Sequence, residues 1–230
     1  MMPEDETDHE AILVVFSEPG EAVELKEFNE WYDEEHVPLR MRFPEFQTGA
    51  RYEAIDGQNP SFAAIYRVSS LGLFRQPRYQ GLRTNRSARE AELFSRIGTI
   101  DRRTYRCTQV AQRPSSDHHH PYHSHLLTVE LAEPSCPLIL EMESLDGWRS
   151  TQAGEIIDSS VVGRLQPSYT DPSRTLRFMV IFEFTNRDYE KSVQLTKLAK
   201  AADANQSMIR EWELHRGWKN SCNYIPVPAD

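Results

Sequence analysis

The sequence is poor in cysteine, in long apolar runs and in basic clusters, and each shortage excludes a class of protein. Its three cysteines, Cys107, Cys136 and Cys222, form no C-x-x-C pair, so neither a disulfide framework nor a zinc knuckle is predicted. The longest apolar stretches, 11–16 and 178–182, fall well short of the roughly 20 residues that span a bilayer. With 26 Lys and Arg against 35 Asp and Glu, the net charge of −9 leaves no basic face for nucleic acid.

Several catalytic motifs are missing as well. The sequence has no Gly-rich phosphate loop and no G-x-S-x-G elbow, which argues against nucleotide-dependent enzymes and α/β-hydrolases. The acidic first nine residues lack the positive and apolar regions of a secretory signal. We therefore expect a cytoplasmic protein with reduced thiols and with no nucleic-acid or membrane partner.

What the sequence does contain is an internal repeat. Ala11–Phe16 returns as His125–Glu130, 114 positions later, and Phe62–Val68 returns as Phe178–Phe184 at an offset of 116. Two weaker matches, both at 114, pair Gly49–Tyr52 with Gly163–Gln166 and Ile100–Arg103 with Leu214–Gly217. The alternative is two unrelated halves with ordinary strands.

The repeat divides the chain into two similar units. We expect an acidic tail over 1–9, a first unit over 10–111, a His-rich linker over 112–124 and a second, degenerate unit over 125–230. In each unit the predicted order is strand, helix, strand, strand, helix, strand, which is the ferredoxin-like topology. One such unit leaves a bare sheet face, and a second unit covers it. The predicted fold class is α+β, with two tandem ferredoxin-like repeats forming an intramolecular α+β barrel.

Apolar spacing places the helices. It predicts a first helix over Lys26 to Val37, which Pro38 is expected to end. A second helix is predicted over 77–97, with a break at 84–85 and a capping box formed by Ser87 and Glu90. In the second unit the corresponding helix is predicted over 188–210. One face of the first helix would carry Leu25, Phe28, Tyr32, His36 and Leu39.

The segment Phe28-Asn-Glu-Trp-Tyr-Asp-Glu-Glu-His-Val-Pro-Leu-Arg40, followed by Phe43-Pro-Glu-Phe46 and Gly49-Ala-Arg-Tyr52, resembles the dimeric α+β barrel superfamily, in particular its EthD-like members. The resemblance covers about residues 10–110, and tandem forms of this kind look like fungal proteins of specialised metabolism. It implies a pocket between helices and sheet, and small-molecule chemistry without nucleotide or flavin. Relatives include decarboxylases and cyclases of aromatic polyketides, lactone isomerases, cofactor-free monooxygenases and haem-binding branches.

The resemblance and the residues together suggest a site in the first unit. The family motif places its helix histidine on His36, a candidate general acid or base, and its aromatic pair on Trp31 and Tyr32. We expect Tyr32 to hold a substrate oxygen and Trp31 to stack on a flat substrate. The candidates for binding a carboxylate are Arg51, Tyr66 and Arg67. Each has a structural alternative: His36 as a helix cap, the aromatic residues as core, and the arginines as partners of glutamates.

Other charged or histidine-rich segments give weaker evidence of function. Asp101 and Arg102 on the fourth predicted strand have the same ambiguity as the other charged strand residues. No histidine repeats His36 in the second unit, where Trp148 is the candidate counterpart of Trp31, so we expect one active pocket. Five of the eight histidines fall within 118–125, but the linker has no periodicity to hold a geometry, so adventitious binding is expected and no functional metal site is predicted.

Three functions stay open at this point. The first is a cofactor-independent enzyme of specialised metabolism, in which His36 moves a proton during decarboxylation, cyclisation or isomerisation of a hydrophobic, aromatic or polyketide-derived substrate. The second is a cofactor-free monooxygenase acting on a phenol. The third is a noncatalytic binding or scaffold protein, which a plugged pocket would favour. No cofactor is expected, and homodimerisation of the fused barrel stays open.

Overall fold

Eight strands of the chain close into one barrel. The structure is a computed structural model that describes residues 9–113, 123–133, 136–165, 176–204 and 208–219. The strands are β1 (Ala11–Glu18), β2 (Phe46–Ala54), β3 (Phe62–Val68), β4 (Thr99–Gln112), β5 (His125–Leu131), β6 (Trp148–Val162), β7 (Phe178–Phe184) and β8 (Ile209–Lys219). Their order around the barrel is β1-β3-β2-β8-β5-β7-β6-β4, and neighbouring strands run antiparallel.

The barrel is built from two half-sheets of the same connectivity. In the first, β1 lies between β3 and β4 and β2 flanks β3; in the second, β5 lies between β7 and β8 and β6 flanks β7. Two seams, β2 with β8 and β4 with β6, join the halves and leave no free sheet edge. The predicted fold class, two ferredoxin-like repeats forming one intramolecular α+β barrel, is confirmed.

Helices cover the outside of each half-sheet. The α-helices are α1 (Leu25–Trp31), α2 (Val37–Met41), α3 (Pro77–Thr84), α4 (Ala88–Arg96), α5 (Cys136–Glu143) and α6 (Val193–Ala204). A π-helix (Tyr32–His36) joins α1 to α2, and 3₁₀ turns (Leu71–Arg75 and Asp188–Lys191) precede α3 and α6. Each half has its own apolar core between helices and sheet. Among the described residues, no helix has the length and apolar character needed to cross a membrane.

Two of the four repeat matches are wrong in register. In β2, Gly49 lies opposite Tyr66, whereas in β6 the residue opposite Phe182 is Thr151, and Gly163 comes after β6 has ended. Likewise Arg103 lies opposite Val14 and Arg210 lies opposite Thr128, so Arg103 corresponds to Arg210 at an offset of 107. A period-two strand pattern identifies a strand but does not fix which residue it pairs with.

Three helix predictions also need correction. Pro38 does not end the first helix, which continues to Met41. The helix predicted over 188–210 ends at Ala204, and Arg210 belongs to β8. Trp148 starts β6 opposite Phe184, as Phe46 starts β2 opposite Val68, so Trp148 is not a helical counterpart of Trp31.

The barrel interior is filled by side chains from both halves. Its apolar core includes Ile12, Val14 and Phe16 of β1 and Trp212 of β8. The rings of Phe16 and Trp212 stack with centroids 5.6 Å apart and planes 21° apart. Offset stacking of this kind adds to the free energy gained by burying the rings.

Two buried arginines flank this stack. The guanidinium of Arg103 lies 5.2 Å from the Phe16 ring, and that of Arg210 lies 4.4 Å from the Trp212 ring. Arg103 pairs with Asp101 and Glu130, each at 2.8 Å, and Arg210 pairs with Asp56 at 2.7 Å. Buried charges require partners, and these ion pairs provide them for both arginines inside the barrel.

Removing the shared ring should destabilise the whole barrel. We expect Trp212→Ala to lower the free energy of unfolding by about 3–5 kcal/mol, because it empties a ring-sized volume between the halves. Urea titrations followed by far-UV circular dichroism measure this. Leu140→Ala is the control: this side chain is 58% exposed, and its loss should change stability by less than about 0.5 kcal/mol. A Trp212→Ala variant as stable as the wild type would contradict the shared core.

Candidate functional site

The first helix of the chain carries the histidine, and a π turn sets its orientation. Pro38 has no N–H to donate, and its ring would clash with the carbonyl four residues earlier in a regular α-helix. The chain widens into the π-helix directly before it, where the Val37 N–H bonds to the Tyr32 carbonyl. Such π turns occur frequently at functional sites. In this one, the side chains of Tyr32 and His36 are both buried.

His36 is held by a carboxylate from a different helix. Its Nδ1 lies 2.8 Å from Oε1 of Glu90 on α4, and both side chains are buried. Glu90 is fixed in turn, because its backbone N–H donates to the Ser87 hydroxyl at 2.9 Å. The predicted capping box is therefore half formed: Ser87 caps α4, while the Glu90 carboxylate bonds to His36.

The surroundings of His36 lower its pKa. Burial lowers its pKa well below the ordinary value, and the positive charges of Arg40, Arg51 and Arg86 lower it further. Burial raises the pKa of Glu90, while Arg40 and Arg86 oppose that rise. With Glu90 ionised, the neutral ring donates its Nδ1–H to the carboxylate, and Nε2 keeps a free lone pair. A positioned imidazole of this kind can accept a proton.

A cavity of about 60 Å³ lies beside this pair, between the helices and the sheet of the first half. His36, Glu90 and Arg40 form one part of its wall, and Tyr79 and Phe94 add aromatic surface. Further lining comes from Leu13, Val15, Leu82, Arg83, Arg86, Ile100, Arg102, Ser160 and Val162. Ser160 and Val162 belong to β6, so the second half contributes to the wall.

The aromatic residues of the motif pack against the His36 ring and do not line the cavity. The Trp31 and Tyr32 rings lie 4.4 Å and 5.0 Å from the His36 ring, and both are fully buried in the core of the first half. Tyr66 is also part of that core, where its ring packs edge-on against Phe46. In the structure Trp31 and Tyr32 pack against the histidine and Tyr66 belongs to the surrounding core, and a direct role of these residues in catalysis or binding stays a prediction.

The two predicted strand arginines lie elsewhere. Arg51 is buried, bonds to Asp33 at 2.5 Å and to Asn29 at 2.6 Å, and covers the Tyr32 ring at 4.5 Å. Arg67 lies 3.8 Å from Glu10. Neither belongs to the cavity lining. Of the candidate functional residues singled out in the sequence, the cavity wall contains His36 and Arg102.

Sequence reasoning missed Glu90, Arg40, Arg83 and Arg86. Arg40 stands four residues after His36 on the same helix and donates to the His36 carbonyl at 2.8 Å, a spacing that could have suggested it. The contact between Glu90 and His36 spans 54 positions and depends on how two helices pack, so no local pattern indicates it.

In the part of the second half that the structure describes, no buried histidine pairs with a carboxylate across two helices. Its two described α-helices are joined by Lys197 and Glu141 at 2.8 Å, an ion pair exposed to solvent. Of the histidines in the cluster predicted over 118–125, only His123 and His125 fall among the described residues. Within the described ranges, no group of three or more His, Cys, Asp or Glu side chains has a metal-binding arrangement.

Comparison with known proteins supports the fold. No protein-family model and no curated protein matches the chain. An anthrone oxidase-like protein is similar in structure over 98% of both chains, with a TM-score of 0.59 and 9% identity. A proposed monooxygenase from Fusobacterium nucleatum matches 92% of this chain and 94% of its own, with a TM-score of 0.55 and 8% identity. One from Lactobacillus acidophilus matches 92% and 97%, with a TM-score of 0.51 and 8% identity. At these identities, the likeness establishes the α+β barrel fold.

The lowered pKa of His36 predicts a pH-dependent stability. Below pH 6.5 the unfolded histidine takes up a proton that the folded one refuses, so stability falls as the pH drops from 6.5 toward the folded pKa. Between pH 7.5 and 5.5 the wild type should lose on the order of 1 kcal/mol more than His36→Gln. Urea titrations at both pH values measure this. Glu90 is present in both proteins, so its own contribution to the pH dependence of stability largely cancels in the comparison. Equal losses would show that His36 titrates normally.

Proposed function

We propose that this protein is a cofactor-independent enzyme in which neutral His36 removes a proton from an aromatic or polyketide-derived small molecule, and the resulting anion reacts with oxygen. The observation that carries the proposal is the buried bond between His36 and Glu90 at the wall of a cavity. The carboxylate holds one ring nitrogen, orients the ring and stabilises the imidazolium that forms. The resemblance to EthD-like proteins and the names of the structural neighbours agree with this proposal.

The chemistry needs a base and molecular oxygen only. His36 Nε2 takes a proton from an activated CH₂ group beside a phenolic or keto ring, which leaves a resonance-stabilised carbanion. The carbanion passes electrons to oxygen and forms a peroxide, which takes up a proton. Loss of water then converts the CH₂ group to a carbonyl. The lowered pKa of His36 keeps the ring unprotonated near neutral pH, so it can accept a proton, and the same shift reduces its strength as a base.

A second candidate function is decarboxylation of an aromatic acid. The arginines in the cavity wall favour it, since a guanidinium is well suited to bind a carboxylate. In that reaction His36 would deliver a proton to the ring carbon as carbon dioxide leaves. The lowered pKa of His36 works against this direction, because the imidazolium is the scarce form.

Substitution of the pair tests the proposal. We expect His36→Gln to lower kcat about 10²–10⁴-fold, the usual contribution of a general base. Glu90→Gln keeps an oxygen that accepts the Nδ1–H but removes the charge, so its loss should be smaller. His215→Gln is a matched control, since this histidine also pairs with a carboxylate, Glu53 at 2.9 Å, yet does not line the cavity. Circular dichroism verifies folding, and full turnover in a folded His36→Gln protein would refute the proposal.

Anaerobic assays distinguish the two reactions. Candidate hydroxyaromatic compounds, with and without a carboxyl group, are incubated with the protein and followed by mass spectrometry. An oxygenase stops without oxygen and adds oxygen to its product, whereas a decarboxylase continues and releases carbon dioxide. Binding of these compounds with no turnover under either condition would instead support the noncatalytic alternative.

A further inference from the structure

The cavity wall is strongly positive, although the protein as a whole is acidic. Four arginines line it, Arg40, Arg83, Arg86 and Arg102, against a single lining carboxylate, Glu90. The formal charge of the whole chain is −9. Four like charges around a small cavity repel each other, and an arrangement of this kind is stabilised when an anion enters.

Three of the four arginines, Arg40, Arg83 and Arg86, form no ion pair with a carboxylate among the described residues. Arg86 lies over the Phe94 ring at 4.4 Å, and neither it nor Arg83 makes a salt bridge or hydrogen bond within the described parts of the chain. Arg40 donates one N–H to the His36 carbonyl, while its buried Nε–H has no acceptor among the described residues. Among the described residues, Arg102 is the one cavity arginine with a carboxylate ion-pair partner, Asp158 at 2.7 Å.

Two arginines of α4, which lie outside the cavity, behave differently. Arg89 pairs with Glu34 at 3.3 Å, and Arg96 bonds to both Glu27 and Glu92. The chain therefore supplies acidic partners nearby, yet none reaches Arg83 or Arg86 within the described residues. An unpartnered guanidinium beside a cavity is available for a ligand, and its planar set of donors matches a carboxylate.

We propose that this cavity binds a carboxylate-bearing aromatic compound, with the carboxylate held by Arg83 and Arg86 at the exposed rim and the ring directed toward His36. The ligand class is that of the substrate of the proposed enzyme, and the proposed function is needed only to say that the ring, and not the carboxylate, reacts at His36. The binding site itself stands on the arginine arrangement. Arg83 and Arg86 are exposed, whereas His36 and Glu90 are buried, so an anionic group meets the rim arginines first.

The size of the cavity agrees with this orientation. A volume of about 60 Å³ holds about four to six water-sized groups at roughly 10–15 Å³ each. That is enough for one edge of an aromatic ring and too little for a whole hydroxybenzoate. The rest of the ligand must therefore extend to the rim, where Arg83 and Arg86 can surround its carboxylate without burying it.

Binding of salicylate and salicylamide tests the site directly. The two probes share the ring and hydroxyl group, and only salicylate carries a charge near neutral pH. Isothermal titration calorimetry should show salicylate binding at least about tenfold more tightly than salicylamide, which corresponds to about 1.4 kcal/mol. The double variant Arg83→Gln/Arg86→Gln should lose that preference. Neither side chain has a polar partner among the described residues, so the variant is expected to fold.

A charge-matched control shows whether the loss of preference comes from the cavity arginines or from the change in net charge. Arg89→Gln/Arg187→Gln also removes two positive charges, but from salt bridges outside the cavity, and should retain the salicylate preference. The preference should also shrink in 0.5 M salt, since exposed charges are screened. Equal affinity for the two probes, or a preference that survives Arg83→Gln/Arg86→Gln, would overturn the proposed anion site.

The binding and turnover results separate this inference from the proposed function. If His36→Gln abolishes turnover while salicylate shows no preference over salicylamide, the base role stands and the carboxylate site is refuted. If the rim variant loses salicylate binding while His36→Gln turns over normally, the carboxylate site stands and the base role is refuted. Salicylate binding in His36→Gln itself should stay within about threefold of the wild type.

Discussion

The stack of Phe16 on Trp212 inside the barrel is the contact on which the rest of the structure depends. One ring comes from each half, and a buried, ion-paired arginine lies next to each ring. A single half-sheet would expose these groups to water on one face, so neither half can bury its charges and rings without the other. The closed barrel is therefore the state that satisfies both repeats at once. It also provides the rigid wall against which the helices of the first half position the site.

The site itself depends on a departure from regular helix geometry. Pro38 removes one backbone donor, and the π turn before it allows the helix to continue to Met41 instead of stopping. Arg40 lies in that continuation, four residues beyond His36, and contributes to the cavity wall. A helix that ended at Pro38 would keep His36 but would lose the arginine. The proline thus contributes to the electrostatics of the cavity through the backbone.

Local patterns predicted the parts of this protein that local forces determine. The internal repeat located β1, β3, β5 and β7, and the Tyr-x-x-x-His-x-Pro motif led to His36. The same patterns gave the wrong register for Arg103 and Gly49, because bulges shift the pairing between strands and the sequence pattern does not locate them. Glu90 resembled a helix cap in sequence, and only the packing of α4 against the first helix turns its carboxylate toward His36. The cavity arginines come from four different elements, α2, α3, β4 and the turn between α3 and α4, so no sequence window contains them.

The arginines and the histidine are coupled through the cavity. Arg40 and Arg86 lower the pKa of His36 by repelling a proton from its ring. A bound carboxylate would offset part of that positive charge and so raise the His36 pKa toward its ordinary value. The two equilibria are linked: if binding of the carboxylate raises the His36 pKa, protonation of His36 tightens the binding of the carboxylate. An anionic substrate would therefore increase the basicity of His36 as it enters, and the proton taken from it would help to hold the reacting anion in place. A neutral substrate of the same shape would gain neither effect, which gives the cavity a physical basis for preferring acids.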